Sequence, residues 1–253
     1  MEKSAKLNSW WNEVVKTKYY TVDFSQFTFR DIKELKRRKY KSDWQEAQKL
    51  LLRIPRSERS YNWLAVYDNR KHFCGLLSEN KIIANAGTKG SQGKEVYLNM
   101  FLNTKHLPSA HYLVDNISYY TDNLGRIVRV YCPDLQLKPR GRNQKSQRYS
   151  VSFKDGKKGD NCGHLIPQAL YGPAEQINYV PQRRELNSGS ILELEKKAIN
   201  AKRAGRLVKY DIKILYHKNE KRPYGFESSV KAYDNTGKLI ANYTGVFDNS
   251  IHK

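Results

Sequence analysis

Apolar side chains in the first part of the chain recur every three or four positions. Trp10, Trp11, Val14 and Val15 make one such set, and Ile32, Leu35, Tyr40, Trp44, Ala47, Leu50 and Leu51 make a second. Both predict amphipathic helices, the second closed by Pro55. Lys36-Arg37-Arg38-Lys39 falls inside that second helix and reads either as a solvated face or as a phosphate-contacting stripe. From Tyr61 the rhythm shortens. Trp63–Tyr67, Lys81–Ala84 and Glu95–Leu98 read as buried strands, with Gly87–Lys94 as a glycine-rich loop between the last two. That loop lacks the order of a phosphate loop, because Ser91 precedes the final Gly-Lys pair. A further strand runs from Tyr112 to Thr121, and Asp122-Asn123-Leu124-Gly125 makes a turn. Arg126–Tyr131 then alternates arginine with apolar residues, as one cationic strand face. The basic loop Pro139–Arg148 follows. A boundary near Leu107-Pro108 divides an N-terminal α+β region, 1–108, from a β-rich part, 109–253.

Charge changes the picture next. Of 253 residues, 46 are Lys or Arg and 25 are Asp or Glu, a formal net charge of +21 spread along the whole chain. This favours an acidic partner such as nucleic acid. Twelve per cent aromatic content is too rich for a disordered basic tail. No apolar run approaches the roughly 18 residues that would span a bilayer, and the N-terminus shows no secretory pattern. Cys74, Cys132 and Cys162 are odd in number and lack C-x-x-C spacing, so neither a disulfide framework nor a zinc site is expected. His72-x-Cys74 reads as a strand histidine beside a buried thiol.

The chemistry concentrates between residues 159 and 195. His164 follows Gly163 and precedes Leu165-Ile166, so it emerges at a strand end. Ser188 or Asn187 can cap a helix through Ile191, Leu194, Ala198 and Ile199 that Gly205 ends. Asn187 and Glu195, eight positions apart, would then project from nearly one face. A histidine, an amide oxygen and a carboxylate can thus converge between a hairpin and a helix. Such a set suits phosphodiester hydrolysis: imidazole takes a proton from water, and hard Mg²⁺ needs few protein oxygens.

Asn178-x-x-Pro181-Gln182, Leu186-Asn187-x-Gly189 and Leu194-Glu195 together resemble the metal-site segment of the DNA/RNA non-specific endonucleases, the family of the Serratia nuclease. Gly163-His164-Leu165-Ile166 with an upstream Asp resembles that family's D-R-G-H motif. The nuclease domains of bacterial polymorphic and type VII-secreted toxins are more similar still. Flanking pieces agree: Tyr120-Thr121-Asp122 with Gly125-Arg126, Arg142-Asn143 with Gln147, and Arg222-Pro223 after Tyr216. The resemblance implies an α+β fold with a ββα-metal (His-Me finger) core on a mixed or antiparallel sheet. It implies His164 as general base, Asn187 as ligand of Mg²⁺ (Mn²⁺ as the alternative ion), and Asn178 and Gln182 as orienting groups. Glu195 would hold the metal-bound waters. Where the family has Asp-Arg before Gly, this chain has Asn161-Cys162, with Asp160 displaced by one. Arg142 or Arg183 would replace the missing cation, and Arg126 and Arg140 lie on basic stretches suited to phosphate contacts.

The expected activity is therefore metal-dependent cleavage of DNA, with RNA as the alternative substrate, by an exported toxin effector with a cognate immunity protein and no membrane partner. A catalytically weak nucleic-acid-binding protein and a DNA-defence or repair component are the competing readings.

Overall fold

The computed structural model describes residues 24–87, 98–140 and 154–250, with Arg148 and Val151 between them. Its frame is a ten-stranded sheet whose spatial order follows the chain apart from one two-strand excursion. The strands are β1 (Phe27–Asp31), β2 (Leu64–Asp68), β3 (Phe73–Ser78), β4 (Lys81–Ala84), β5 (His111–Val114), β6 (Ile117–Thr121), β7 (Ile127–Cys132), β10 (Leu207–Leu215), β11 (Gly225–Tyr233) and β12 (Leu239–Asp248). All neighbours pair antiparallel except β4 and β5, which run parallel. The excursion, β8 (Asp160–His164) and β9 (Tyr179–Arg183), forms a separate antiparallel pair. The helices are α1 (Lys41–Leu51), α2 (Arg184–Ser188) and α3 (Ser190–Arg203). The fold is α+β.

Two burial regimes explain the strand sequences. In β2 every residue is buried, because both faces are covered. Ala65 and Tyr67 face a cluster with Leu35, Ala47, Leu50 and Trp63 under α1. Leu64 and Val66 face the main core, which continues through Tyr112, Tyr119, Val130, Tyr210 and Val230 to Leu194 and Ala198 of α3. In β10 and β11 burial instead alternates, one face under α3 and the other in water.

The segment expected as one helix over Ile32–Leu51 is broken. Two 3₁₀ turns, Ile32–Lys36 and Arg38–Tyr40, precede α1, and Arg37 between them is extended (φ −69°, ψ 143°). The Asp31 carboxylate starts the first turn by accepting from the Lys33 amide at 2.8 Å. Lys36–Lys39 therefore lie at a bend, where Lys36 and Lys39 cover the rings of Trp44 and Tyr40. The expected Trp10–Val15 helix lies outside the described residues, as do most of Gly87–Lys94 and Glu95–Leu98. The single strand expected from Tyr112 to Thr121 is two, β5 and β6, reversed at Asp115 with φ 54°. The sequence reading passed over β1 and β3.

The boundary at Leu107-Pro108 falls between β4 and β5, and those strands pair over four residues. The Glu175 carboxylate accepts from the amides of Gly87 and Asn99, and the Ile177 amide donates to the Leu102 carbonyl. The two parts share one sheet and one core. The three cysteines form no disulfide. Burial pushes the Cys74 thiol up to about 11, and His72 Nδ1 sits 3.2 Å from the Asp68 carboxylate.

Candidate active site

His164 ends β8 opposite Tyr179 of β9, whose ring it meets edge-on at 5.0 Å. The next residues leave the strand along a buried connection. Asn178 fastens that exit: its Oδ1 accepts from the Ile166 amide at 2.8 Å and the Tyr119 hydroxyl at 3.2 Å. Its Nδ2 donates to the carbonyls of Ile166 (2.9 Å) and Pro173 (3.0 Å). With both donors and its oxygen engaged, the buried Asn178 amide orients the backbone after His164, not the imidazole itself. Below, Lys154 Nζ donates to the carbonyls of Gln176 (2.8 Å) and Tyr179. Burial lowers its pKa to about 8. The start of β8 is fixed by Asp160, which takes both ends of the buried Arg222 guanidinium at 2.8 Å. Arg222 also donates to the Asn249 carbonyl at 2.6 Å.

Gly163 serves close approach. A Cβ there would overlap the side chain of Gln182, which reaches across from the partner strand two positions beyond Val180, the residue opposite Gly163. Gln182 is fully buried, and neither its Oε1 nor its Nε2 has a hydrogen-bond partner among the described residues. A buried amide left unpaired costs about 1–3 kcal/mol, so this one points to an ordered water or ligand within the hairpin.

Asn187 lies in α2, the short helix packed against β8 and β9. It is half-buried, and its side chain makes no hydrogen bond to a described residue. The expected helix through Ile191 and Ile199 is α3, but it is capped at Gly189 (φ −108°, ψ −108°), and Asn187 and Ser188 belong to the separate preceding helix α2. A Cβ on Gly189 would stand 2.6 Å from the Glu185 carbonyl oxygen. The two-turn spacing between Asn187 and Glu195 therefore does not apply as one continuous helix. Glu195 sits on α3 close enough to Tyr210 of β10 to push the tyrosine hydroxyl further up. Desolvation raises the Glu195 carboxyl itself to about 7.

An antiparallel strand pair ending in histidine, with a helix laid across it, is thus in place. The family model for DNA/RNA non-specific endonucleases matches residues 108–234, half of the chain. The chain belongs to this endonuclease family. Two curated relatives, the type VII secretion system protein EssD of Staphylococcus aureus strains USA300 and NCTC 8325, are each 34% identical over 115 residues. That span is 43% of this chain but only 19% of those relatives. Among solved structures, an extracellular nuclease is similar at 21% identity and TM-score 0.38, over 51% of this chain and 81% of that one. A structure of Sda1 nuclease with bound zinc ion is similar at 16% identity and TM-score 0.41, over 53% and 74%.

The arginines of the chain are placed unlike the sequence expectation. Arg126, expected on substrate, is held by Asp122 (2.7 Å) and by the carbonyls of Lys218 (2.6 Å) and Glu220 (2.7 Å), stacked over Tyr216. Arg140 is buried against Asp115, the Gly87 carbonyl (2.9 Å) and the Tyr171 ring. Both are structural clamps with their donors turned inward. Arg129, the other cation of that strand face, pairs with Asp211 through two nitrogens at 2.9 and 2.6 Å. Arg183 donates to the Asp248 carbonyl at 3.1 Å, and its buried Nε has no partner among the described residues. Arg142 lies outside the described residues. Lys154 went unnoticed in the sequence because an isolated lysine carries no motif. Arg222 was visible only as a flanking Arg-Pro.

Proposed function

We propose that this endonuclease hydrolyses DNA phosphodiester bonds with His164 as general base and a Mg²⁺ ion anchored on Asn187, RNA being the alternative substrate. The observation that carries the reading is the strand pair ending in His164, with a buried, unpaired Gln182 amide on the partner strand and the short helix of Asn187 packed against both strands. The donor fits a hard cation: half-buried Asn187 offers a neutral amide oxygen, and Mg²⁺ retains most of its waters. Among the described residues no three His, Cys, Asp or Glu side chains gather around one point, so amide oxygen and water would carry the coordination. Mn²⁺ suits the same donors. When bound, the ion supplies charge stabilisation for the departing 3′ oxygen.

The chain's own part follows from the placement. His164 takes a proton from the attacking water, the new P–O bond forms as the P–O3′ bond breaks, and the 3′ oxygen leaves to be protonated by solvent. Tyr179 holds the imidazole edge-on, and Asn178 fixes the backbone that presents it. Gln182 orients waters around the site, and Glu195 does so from α3. Arg142 supplies the cation that the Cys162 position lacks, with Arg183 next in line. The similarity to EssD supports delivery as an exported toxin effector whose producer carries an immunity protein.

Plasmid nicking with Mg²⁺, with and without EDTA, tests the reading. His164→Ala should lower the rate by about 10²–10⁴-fold while leaving the unfolding temperature and DNA binding unchanged. Nicking that survives EDTA, or in the variant, removes the metal or the histidine from the mechanism.

A further inference from the structure

A second concavity of 340 Å³ opens between the β6–β7 turn, the segment before β5 and the loop after β10. That is the size of a small-ligand site, about 300 Å³ or more. Four cations line it, Lys105, Arg126, Lys154 and Lys221, and no acidic side chain does. Two of the four are matched nearby: Arg126 by Asp122, and Lys221 by Asp155 at 3.6 Å. Lys154 is different. It is buried, its partners are two carbonyls, and no described carboxylate pairs with it. A buried ammonium without a counter-charge is costly unless something anionic completes its surroundings. His106, also buried in the lining, leaves Nε2 without a hydrogen-bond partner. Burial holds its pKa down to about 3, so the imidazole is neutral and the positive potential comes from the lysines and arginine. Leu124, Ile127 and Tyr216 give the pocket an apolar side.

The pocket is tied to the catalytic hairpin at two points. Lys154 donates to the carbonyl of Tyr179, which faces His164 across the strands. Lys221 adjoins Arg222, which grips Asp160 at the other end of β8. Four strand steps of about 3.3 Å separate Asp160 from His164, about 13 Å.

We propose that this pocket is a strand-anchoring subsite that holds one nucleotide of the substrate several positions from the scissile bond, its phosphate against Lys105, Lys154 and Lys221 and its base against Leu124, Ile127 and Tyr216. The proposal builds on the endonuclease reading, and its test is one of binding, so the two fail separately.

The probe is a fluorescein-labelled single-stranded 12-nucleotide DNA, titrated in EDTA with His164→Ala chain at two salt concentrations. Lys105→Gln with Lys221→Gln removes two exposed charges, and Leu124→Trp fills the cavity from its exposed rim. Lys209→Gln with Lys231→Gln, on β10 and β11 outside the pocket, removes the same charge as a control. The pocket pair and the plug should each weaken binding about tenfold, and the pocket pair should lower the salt slope by about 1.4, two contacts at about 0.7 each. The control should change affinity less than twofold. Equal losses in the pocket and control pairs, or an unchanged affinity with the plug, would overturn the subsite. Loss of nicking in the wild-type chain with these binding differences intact would instead strike the catalytic reading alone.

Discussion

At the scale of single residues, the pair Gly163 and Gln182 governs the site. The Gly163 backbone is ordinary strand, and its value is the missing Cβ that admits the Gln182 amide. Gly163→Ala should destabilise by about 1–3 kcal/mol through overpacking and should also slow cleavage. Gly163→Ala with Gln182→Ala removes the overlap, so urea unfolding should show most of the stability restored. Nicking should stay impaired, because the double variant lacks the amide proposed to orient waters at the site. Restored nicking would reduce Gln182 to a packing role. His164 and Asn187 were legible because strand-end histidine and helix asparagine lie in one short stretch of chain. The state of the Asn178 amide was not, since its partners Tyr119 and Pro173 lie in other elements.

At the scale of elements, the break at Gly189 separates α2, which rests on the hairpin, from α3, which rests on the sheet. Glu195 consequently sits where desolvation dominates, and its carboxyl is raised to about 7. The sign follows from proton binding. A carboxyl whose folded pKa exceeds its unfolded value of about 4.3 holds a proton in the folded state that the unfolded chain has released. Its contribution to stability is full below pH 4.3 and declines as pH rises through about 7. Metal-depleted protein in EDTA should therefore melt at progressively lower temperature between those pH values, levelling above. Glu195→Gln should flatten this part of the profile. A wild-type profile that rises with pH over the same window would place an unrecognised cation beside the carboxylate. Helical periodicity identified α1 and α3 correctly in kind. It merged the 3₁₀ turns at Ile32–Lys36 and Arg38–Tyr40 into α1 because their apolar residues keep a similar spacing, while the extended Arg37 interrupts them.

At the scale of the whole molecule, the part matched by the endonuclease family leans on the residues before it. β5 pairs with β4, Glu175 is held by the amides of Gly87 and Asn99, and the main core runs from Phe24 to Ala232. A chain beginning at residue 109 would expose the β5 edge and the apolar residues that β2 and β4 cover. Expressed alone, 109–253 should aggregate or lack the cooperative unfolding of the full chain. A soluble fragment with native-like unfolding and full nicking activity would show instead that residues 1–108 are an independent addition.

The sequence alone determined the order of reactive groups from His164 to Glu195, the alternation of β6 and β7, and the excess of positive charge. Each depends on contacts a few residues apart or on composition, which the chain carries without folding. Tertiary structure alone decided which cations still face outward. Arg126 and Arg140 look equivalent to any surface arginine until the loop at 217–220, Asp115 and the Gly87 carbonyl, all distant in sequence, close around them. Lys154, silent in sequence, gains its weight from burial beneath Tyr179. Charge is written locally, but its pairing and its desolvation are properties of contacts through space, and those exist only in the folded chain.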